Sequence, residues 1–455
     1  MQITPKVAFY TLGCKVNQYD TQSLRDMFLN EGYQIVDFDE YADIYIINTC
    51  VVTHIAERKS RQNIRKAKKK NPLSTVAVVG CYPQTFPEKV KELGEVDVFL
   101  GTEDRKTIMN LIKKVKKEDT KEDIINNEII DSSNVKRKFN KYDSVYDDVG
   151  INNFDLQKEQ KSRHFLKVQE GCERYCSYCI VPYARGKIKS RPITSVLKEA
   201  KEAVNSGFKE IVLTGSNLGA YGDESFYKPD LVDLIRALTS LNFDFRVRLS
   251  SIEPMEISQE LINELSTNPK ICPHLHIPLQ SADDQILKKM NRPYTGKDFK
   301  KLIFNIKELI PDISLTTDVI VGFPGENKKH FERTKAFIKK IGFMDLHVFK
   351  YSVREKTPAA NYADQVQHEL KEKRSAELIK LSKELKFEYQ KRFLGRNLKA
   401  LIETREGNYY SGLTENYLKV YLHQNEIDKN GYVKGEFCDI KLYLINDKVI
   451  AKIIK

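Results

Sequence analysis

Three cysteines fall within eight residues in GCERYCSYCIVPYARG (171–186), spaced Cys172-x3-Cys176-x2-Cys179. Thiolates this close in sequence can wrap one compact metal group. Zinc ribbons pair one Cys-x2-Cys with another further along, and no second such pair occurs here. A [4Fe–4S] cube normally takes four cysteines, so three leave one iron open to a substrate, as in catalytic metal sites. A second set is dispersed: Cys14 follows VAFYTLG (7–13), Cys50 follows DIYIINT (43–49) and Cys81 follows TVAVVG (75–80). Each stands at the carboxyl end of a strand-like run. Such ends share one edge of a parallel sheet, where open α/β folds place their ligands. From the residues alone, this set stays open between a second three-thiolate site and three small buried side chains. Cys272 and Cys438 fall outside both patterns and read as core.

These positions require elements to hold them. From residue 1 to about 115, strand-like runs alternate with helix-like stretches, which predicts an open parallel sheet with crossover connections. Residues 116–160, with KKEDTKED near their start, read as a linker. The alternation resumes from about 161 to 385 in EIVLTG, FRVRLSSI, HLHIPLQ, LTTDVIVGF and LHVFKY, and some six βα units favour a partly closed (β/α) barrel. A long amphipathic helix is predicted from His368 to Leu394, its apolar face formed by Leu370, Leu378, Ile379, Leu381, Leu385 and Phe393. The last 60 or so residues hold short strands and predict a small all-β barrel.

Composition limits the function classes. The 455 residues carry 75 Lys+Arg against 63 Asp+Glu, a net charge of +12. No apolar run approaches the ~18 residues of a membrane span. The start lacks the basic and apolar regions of a signal peptide. The expectation is a soluble, multidomain, cytoplasmic protein with reduced cysteines and no membrane partner. RKSRQNIRKAKKK (58–70) has eight basic residues without an interleaved acid, and reads either as a solvated helix face or as a phosphate contact. Residues 391–455 hold 12 Lys+Arg, 8 Asp+Glu and seven Tyr or Phe after Phe393, a composition suited to stacking on unpaired bases.

TLGCKVNQYDT (11–21), NTCVVTHIAERKSRQ (48–62) and GCYPQ (80–84), together with the 171–186 motif, resemble the methylthiotransferase branch of the radical S-adenosylmethionine superfamily. The resemblance implies an N-terminal three-cysteine domain (1–115), a linker (116–160), a radical S-adenosylmethionine core (161–388) and a TRAM-like RNA-binding β-barrel (389–455). TLGCKVNQ, RKSRQ and CSYCIVPYARG are most similar to members that methylthiolate C2 of N6-threonylcarbamoyladenosine at position 37 of tRNA. Members acting on isopentenyladenosine typically read GCQMN at the first motif, and those acting on a ribosomal protein read GCPKN. Ala282 in QSADD and Lys189 in GKIKSRP depart from the commoner Gly and Arg, but touch no cluster cysteine.

What the resemblance implies is a [4Fe–4S] cluster on Cys172, Cys176 and Cys179 that binds S-adenosylmethionine through its open iron. One electron then yields a 5′-deoxyadenosyl radical. A second [4Fe–4S] cluster on Cys14, Cys50 and Cys81 holds the sulfur to be inserted. An aromatic C–H bond without an acidic proton calls for such cofactor chemistry, and no side chain is needed as general acid or base. The implied partners are a tRNA anticodon stem-loop, an electron donor protein and a sulfur source. Tyr178 precedes the third loop cysteine. Gly215, Asn217 and Gly219 of LTGSNLGAYG, Ser250 and Glu253 of RLSSIEP, Gln280 of HIPLQS, and Asp318 and Glu326 of DVIVGFPGE fall at or past strand ends, and by resemblance line the S-adenosylmethionine pocket. On residues alone they divide evenly between pocket and loop. His274 and His276 alternate on one strand, as interior packing explains. A different class also fits the basic runs and thiols: a non-catalytic RNA-binding sensor of iron or redox state. Release of 5′-deoxyadenosine from S-adenosylmethionine would discriminate the two.

Overall fold

The computed structural model describes residues 4–102, 107–118, 130–131, 162–224, 229–445 and 448–454. Most of the expected linker, 116–160, lies outside the described residues.

Runs rich in Val, Ile and Tyr form the first sheet. Its strands are β1 (Lys6–Thr11), β2 (Gln34–Val36), β3 (Ile44–Thr49), β4 (Thr75–Gly80), β5 (Val98–Leu100) and β6 (Ile130–Asp131), in the order β2-β1-β3-β4-β5-β6 and parallel throughout. β3 and β4 are buried along their whole length, as strands covered on both faces must be. Helix α1 (Lys15–Asn30) covers one face with Leu24 and Phe28, and α2 (His54–Lys70) covers the other with Ile64 and Ala67.

The second region begins with β7 (His164–Lys167). A short antiparallel pair, β8 (Gln169–Glu170) and β9 (Lys189–Ser190), frames the cysteine loop. Strands β7, β10 (Glu210–Thr214) and β11 (Arg246–Leu249) form one parallel sheet, and β12 (His274–His276), β13 (Ser314–Val321) and β14 (Asp345–Lys350) form another. Parallel bridges Val247–Ile271 and Ser251–His276 join the two, so six strands follow one another in chain order. Alternate residues divide by face. Leu166, Ile211, Leu213, Val247, Leu249, Leu275, Leu315 and Val319 pack into the core shared with the helices. Phe165, Glu210, Arg246, Arg248, His274, His276, Asp318 and His347 occupy the opposite face, where the other two regions of the chain attach.

The C-terminal sheet is antiparallel, in the order β17-β16-β15-β18-β19, with β15 (Asn397–Glu406), β16 (Tyr409–Thr414), β17 (Lys419–His423), β18 (Phe437–Ile445) and β19 (Lys448–Ile453). Two buried arginines dock it. Arg246 donates to the carbonyls of Lys399 (3.2 Å) and Leu413 (2.7 Å), and Arg248 to those of Thr414 and Glu415 (both 3.0 Å). Both also bond Glu210, and against the cost of burial they hold its carboxyl far below the usual carboxylate range.

The long helix spans His368–Lys391, three residues shorter than its apolar pattern predicts, and Leu370 and Ile379 are exposed. Its buried face mixes Leu378, Leu381 and Tyr389 with Arg374, Ser375 and Ser382. Arg374 pairs with buried Glu326, and Ser382 accepts from Leu346 N–H. Polar residues with fixed partners thus occupy positions that hydrophobic periodicity assigns to solvent. Phe393 belongs instead to the C-terminal core.

Candidate active site

Cys14, Cys50 and Cys81 follow three neighbouring strands. Thr11 pairs with Asn48, and Thr49 with Gly80, so the chains leave the sheet side by side at strand spacing, roughly 5 Å. Gly80 has φ +96°, and a Cβ there would meet Asn48 Oδ1 at 2.4 Å, so the turn into Cys81 requires glycine. Asn17 locks the corner, donating to the carbonyls of Leu12 (2.8 Å) and Thr49 (3.0 Å), while Cys14 Sγ lies 3.5 Å from its Oδ1. Burial, then the neighbouring Cys81, pushes the Cys50 thiol up to about 12. Burial also raises Cys81, opposed by the guanidinium of Arg185.

The second set sits on the loop between β8 and β9. Gly171 has φ +81°, and a Cβ there would overlap the Lys187 carbonyl at 1.8 Å, so glycine lets the loop close. Cys172 N–H donates to the Gly186 carbonyl at 3.1 Å, and Cys179 N–H to that of Cys176 at 2.9 Å. Burial pushes the Cys172 thiol up to about 11, and burial with Cys176 nearby raises Cys179 further. Cys50, Cys81, Cys172 and Cys179 thus lack the nearby positive charge that would ionise them, which a bound metal group would supply, while Cys14 is exposed.

The donor spacing bears on which group. Thiolates on one zinc, at Zn–S of about 2.3 Å, lie roughly 3.8 Å apart. Among the described residues neither set of three sulfurs falls within 4.8 Å, whereas ligand atoms of His276, Asp318 and His347 do.

The two sets are fastened together. The short helix Val181–Arg185 follows Cys179, and the backbone path from Cys179 to Arg185 spans at most about 13 Å. Arg185 donates to Asp20 at 3.0 Å and also to Glu170 and Asn17. Thr102 donates to the Ala184 carbonyl at 3.0 Å. From the far end of the six strands, Arg354 donates to the Val51 carbonyl (3.1 Å) and Glu57 (3.0 Å), beside Cys50. Arg292 is the counterpart at the loop, with Nη1 3.4 Å from Cys176 Sγ and a bidentate pair to Glu253. Arg185 lies in a quoted motif, but its partner Asp20 is 165 positions away. Nothing in local spacing marks Arg292 or Arg354.

The expected pocket residues separate into groups. Tyr178 is packed edge-on to Phe323 at 6.4 Å, beside the loop cysteines. Ser250 Oγ and Gln280 Oε1 are buried without a hydrogen-bond partner, as is Glu256 Oε2, and Gln280 has φ +60°. Asn217 reaches Glu256 at 2.8 Å, and Arg174 of the cysteine loop also pairs with Glu256. Gly215 and Gly219 abut the side chains of Gln169 and Glu256 rather than open space. Glu326 bonds Gly322 N–H (2.9 Å) and Arg374 (2.6 Å), which commits it to the loop after β13. Asp318 bonds His276 at 3.1 Å and His347 at 3.2 Å, and these bonds hold its carboxyl well below the usual range against burial. His274 is buried and stacked on Tyr417 at 4.1 Å. Cys272 and Cys438 are buried.

The basic helix α2 is less bare than its sequence. Arg61 pairs with Glu57, Arg65 with Glu95, Lys66 and Lys70 with Asp39, and Lys68 with Asp97. The acids missing from the run come mostly from neighbouring segments. Among the described residues, Arg58, Lys59 and Lys69 keep no ion pair. On the C-terminal sheet Tyr409, Tyr421 and Tyr443 are exposed.

A cysteine loop entering six parallel strands, beside a parallel sheet with three further cysteines at one edge, defines a radical S-adenosylmethionine fold. Residues 166–338 match the Radical SAM superfamily, and residues 6–101 match the family described as Uncharacterized protein family UPF0004. Threonylcarbamoyladenosine tRNA methylthiotransferase MtaB of Bacillus subtilis is 40% identical over 92% of this chain and 91% of its own length. The Aquifex aeolicus protein of the same name is 36% identical over 91% and 96%. A tRNA-2-methylthio-N(6)-dimethylallyladenosine synthase of Clostridium botulinum is 34% identical over 88% and 86%. Among solved structures, the radical S-adenosylmethionine methyltransferase TsrM of Kitasatospora setae shares the fold, with TM-score 0.57 at 13% identity, over 78% of this chain and 75% of that one. The chain belongs to the radical S-adenosylmethionine methylthiotransferase family. No described helix is long and apolar enough to cross a membrane.

Proposed function

We propose that this protein is a cytoplasmic tRNA-modifying enzyme that methylthiolates C2 of N6-threonylcarbamoyladenosine beside the anticodon. The observation that carries the reading is the fastening of two three-cysteine sets by Arg185 and Arg354, which keeps a sulfur-holding site and a radical-generating site facing one substrate. Cys172, Cys176 and Cys179 hold a [4Fe–4S] cluster, and Cys14, Cys50 and Cys81 hold a second. With S-adenosylmethionine bound, the cofactors supply the radical and the sulfur that an unactivated aromatic C–H bond demands.

The chain's own residues bind and position. Ser250, Gln280 and Glu256 have buried polar atoms that a polar ligand would satisfy, and they sit beside the loop cysteines where S-adenosylmethionine belongs. Tyr178, Gly215, Asn217, Gly219 and Glu253 shape the same pocket. Arg292 orients Glu253 and lies against Cys176. Asp318 holds His276 and His347 in place across β12–β14. The three regions divide the work as residues 1–115 for sulfur, 161–388 as a partial (β/α) barrel for radical chemistry, and 389–455 as a TRAM-like barrel for RNA. The edge strands β17 and β19 lie against one another, which supports closure of that last sheet. An electron donor protein and a sulfur source complete the reaction.

Mass spectrometry of tRNA nucleosides from a strain lacking the gene tests this. Loss of 2-methylthio-N6-threonylcarbamoyladenosine is expected, with its unthiolated precursor accumulating. Loss of the isopentenyl nucleoside instead would reassign the substrate.

A further inference from the structure

The guanidinium of Arg292 is held from several sides and aimed at one sulfur. Its side chain is 2% exposed. An arginine offers five N–H donors in a rigid fork, and here each nitrogen has its acceptors. Nε meets Tyr294 Oη at 3.1 Å, and Nη1 reaches Glu253 Oε1 at 3.0 Å and Cys176 Sγ at 3.4 Å. Nη2 bonds Glu253 Oε2 and the Pro278 carbonyl, the latter at 3.3 Å. Tyr294 is fixed in turn, donating to the carbonyls of Pro278 (3.2 Å) and Leu279 (3.1 Å). The bidentate pair with Glu253 uses one N–H of Nη1 and leaves the other for Cys176. A planar fork so engaged cannot turn away from the sulfur without breaking several bonds.

The sulfur is held against the same segment. Tyr175 and Ser177 flank Cys176 in the loop, and both are tied to the residues just before Arg292. Asn291 Nδ2 donates to the Tyr175 carbonyl at 3.0 Å, and Ser177 N–H donates to the Met290 carbonyl at 3.0 Å. Ser177 Oγ donates to the Lys289 carbonyl at 2.7 Å. Arg292 N–H closes the turn, donating to the Leu287 carbonyl at 3.0 Å. Residues 175–177 and 289–292 are thus one bonded unit with the guanidinium–sulfur contact inside it. Backbone N–H groups of Arg174 and Val181 bond the thiols of Cys172 and Cys179. The charged side-chain donor falls to Cys176.

Resting on the reading of Cys172, Cys176 and Cys179 as cluster ligands, we infer that Arg292 raises the reduction potential of that cluster through its hydrogen bond to the Cys176 sulfur. On reduction the cluster gains one electron and the electron donor protein loses one. Negative charge on the ligating sulfurs grows, so a charged N–H donor favours the reduced state. No proton moves, because arginine keeps its protons in both states. Glu253 offsets the charge of the fork and fixes its direction, so what is particular to Cys176 is the aimed N–H. Arg292 acts as a positioning residue, through the sulfur, and makes the cluster easier to reduce.

The test uses the full chain carrying Cys50→Ala, so that the loop cluster is titrated alone, reconstituted anaerobically and without S-adenosylmethionine. The reduced fraction is read by electron paramagnetic resonance at a series of fixed potentials. Adding Arg292→Met should lower the ratio of reduced to oxidised cluster at least tenfold, a fall of about 59 mV for one electron. Arg292→Met with Glu253→Gln removes one charge of each sign and should still lower the ratio about tenfold. If that charge-balanced pair titrates like its parent, the inference is overturned. A second readout depends on no destabilised variant. With nitrogen-15 in the arginine guanidinium groups, the reduced parent should show a nitrogen coupling that Arg292→Lys loses. A parent without that coupling also overturns the inference. A parent that takes up no four-iron cluster, by iron content and by its resonance, overturns the cluster reading instead.

Discussion

The two cysteine sets reach similar surroundings by opposite routes. Cys172, Cys176 and Cys179 are brought together by eight residues of one loop, closed at Gly171 and by the Cys172 N–H to Gly186 carbonyl bond. Cys14, Cys50 and Cys81 are brought together by the register of β1, β3 and β4, elements spread over 75 residues. The loop set depends on local backbone and the dispersed set on a whole sheet. Their supporting cations differ likewise. Arg292 reaches Glu253, 39 positions away, whereas Arg185 reaches Asp20 across 165.

If each set has its own task, removing one ligand should separate the tasks completely. Cys176→Ala should abolish 5′-deoxyadenosine release from S-adenosylmethionine with a chemical reductant. Cys50→Ala should retain that release and lose methylthiolation of RNA. Product formation by Cys50→Ala would collapse the distinction. The next effect is twofold: the loaded wild-type chain should hold about eight iron atoms, two four-iron clusters, and Cys50→Ala about four. Four iron atoms in wild type would mean that the dispersed set holds no cluster.

The contrast also explains what the sequence discloses. The loop set is visible because its geometry is encoded in spacing, and no tertiary information is needed. The dispersed set is visible only after strands are assigned, because each cysteine follows an apolar run by at most one residue. Arg185, Arg292 and Arg354 could not be read as site residues, since their roles come from partners tens to hundreds of positions away. Gly215 and Gly219 read from the sequence as pocket lining by resemblance, and what crowds them is Gln169 and Glu256. The helix at His368–Lys391 misleads a reading of periodicity because Arg374 and Ser382 face inward to fixed partners and Ser375 is buried beside them.

Stability sharpens the comparison at smaller scale. Arg185→Met removes the guanidinium from both Glu170 and Asp20, in surroundings where Asp20 is 1% exposed. Breaking one partner of such a buried group costs about 3–5 kcal/mol. Arg292→Met exposes a weaker dependence, because Glu253 is partly open to solvent and the loop closes locally, and about 1–3 kcal/mol is expected. Denaturant melts of the metal-free chains would rank them. A larger loss at Arg292 would show that the loop, not the sheet, holds the assembly.

The smallest effect concerns how Cys50 is delivered. After Cys50 the chain runs through Val51 and Val52 to Thr53, whose side chain accepts from Ala56 N–H at 3.1 Å and caps α2. His54 N–H donates to Ser352 Oγ at 3.2 Å, so the same turn also meets the loop that carries Arg354. The loop set has no comparable dependence, because Cys179 enters the helix Val181–Arg185 with no side-chain cap at Ile180. Thr53→Ala should therefore cost about 1 kcal/mol, and Thr53→Ser should restore most of it. Because the frayed turn adjoins Cys50 alone, iron should be lost first from the dispersed set when the variant is titrated with chelator, while S-adenosylmethionine cleavage persists. Equal loss from both sets would mean that the clasp of Arg185 and Arg354, rather than the cap, governs how Cys50 is held.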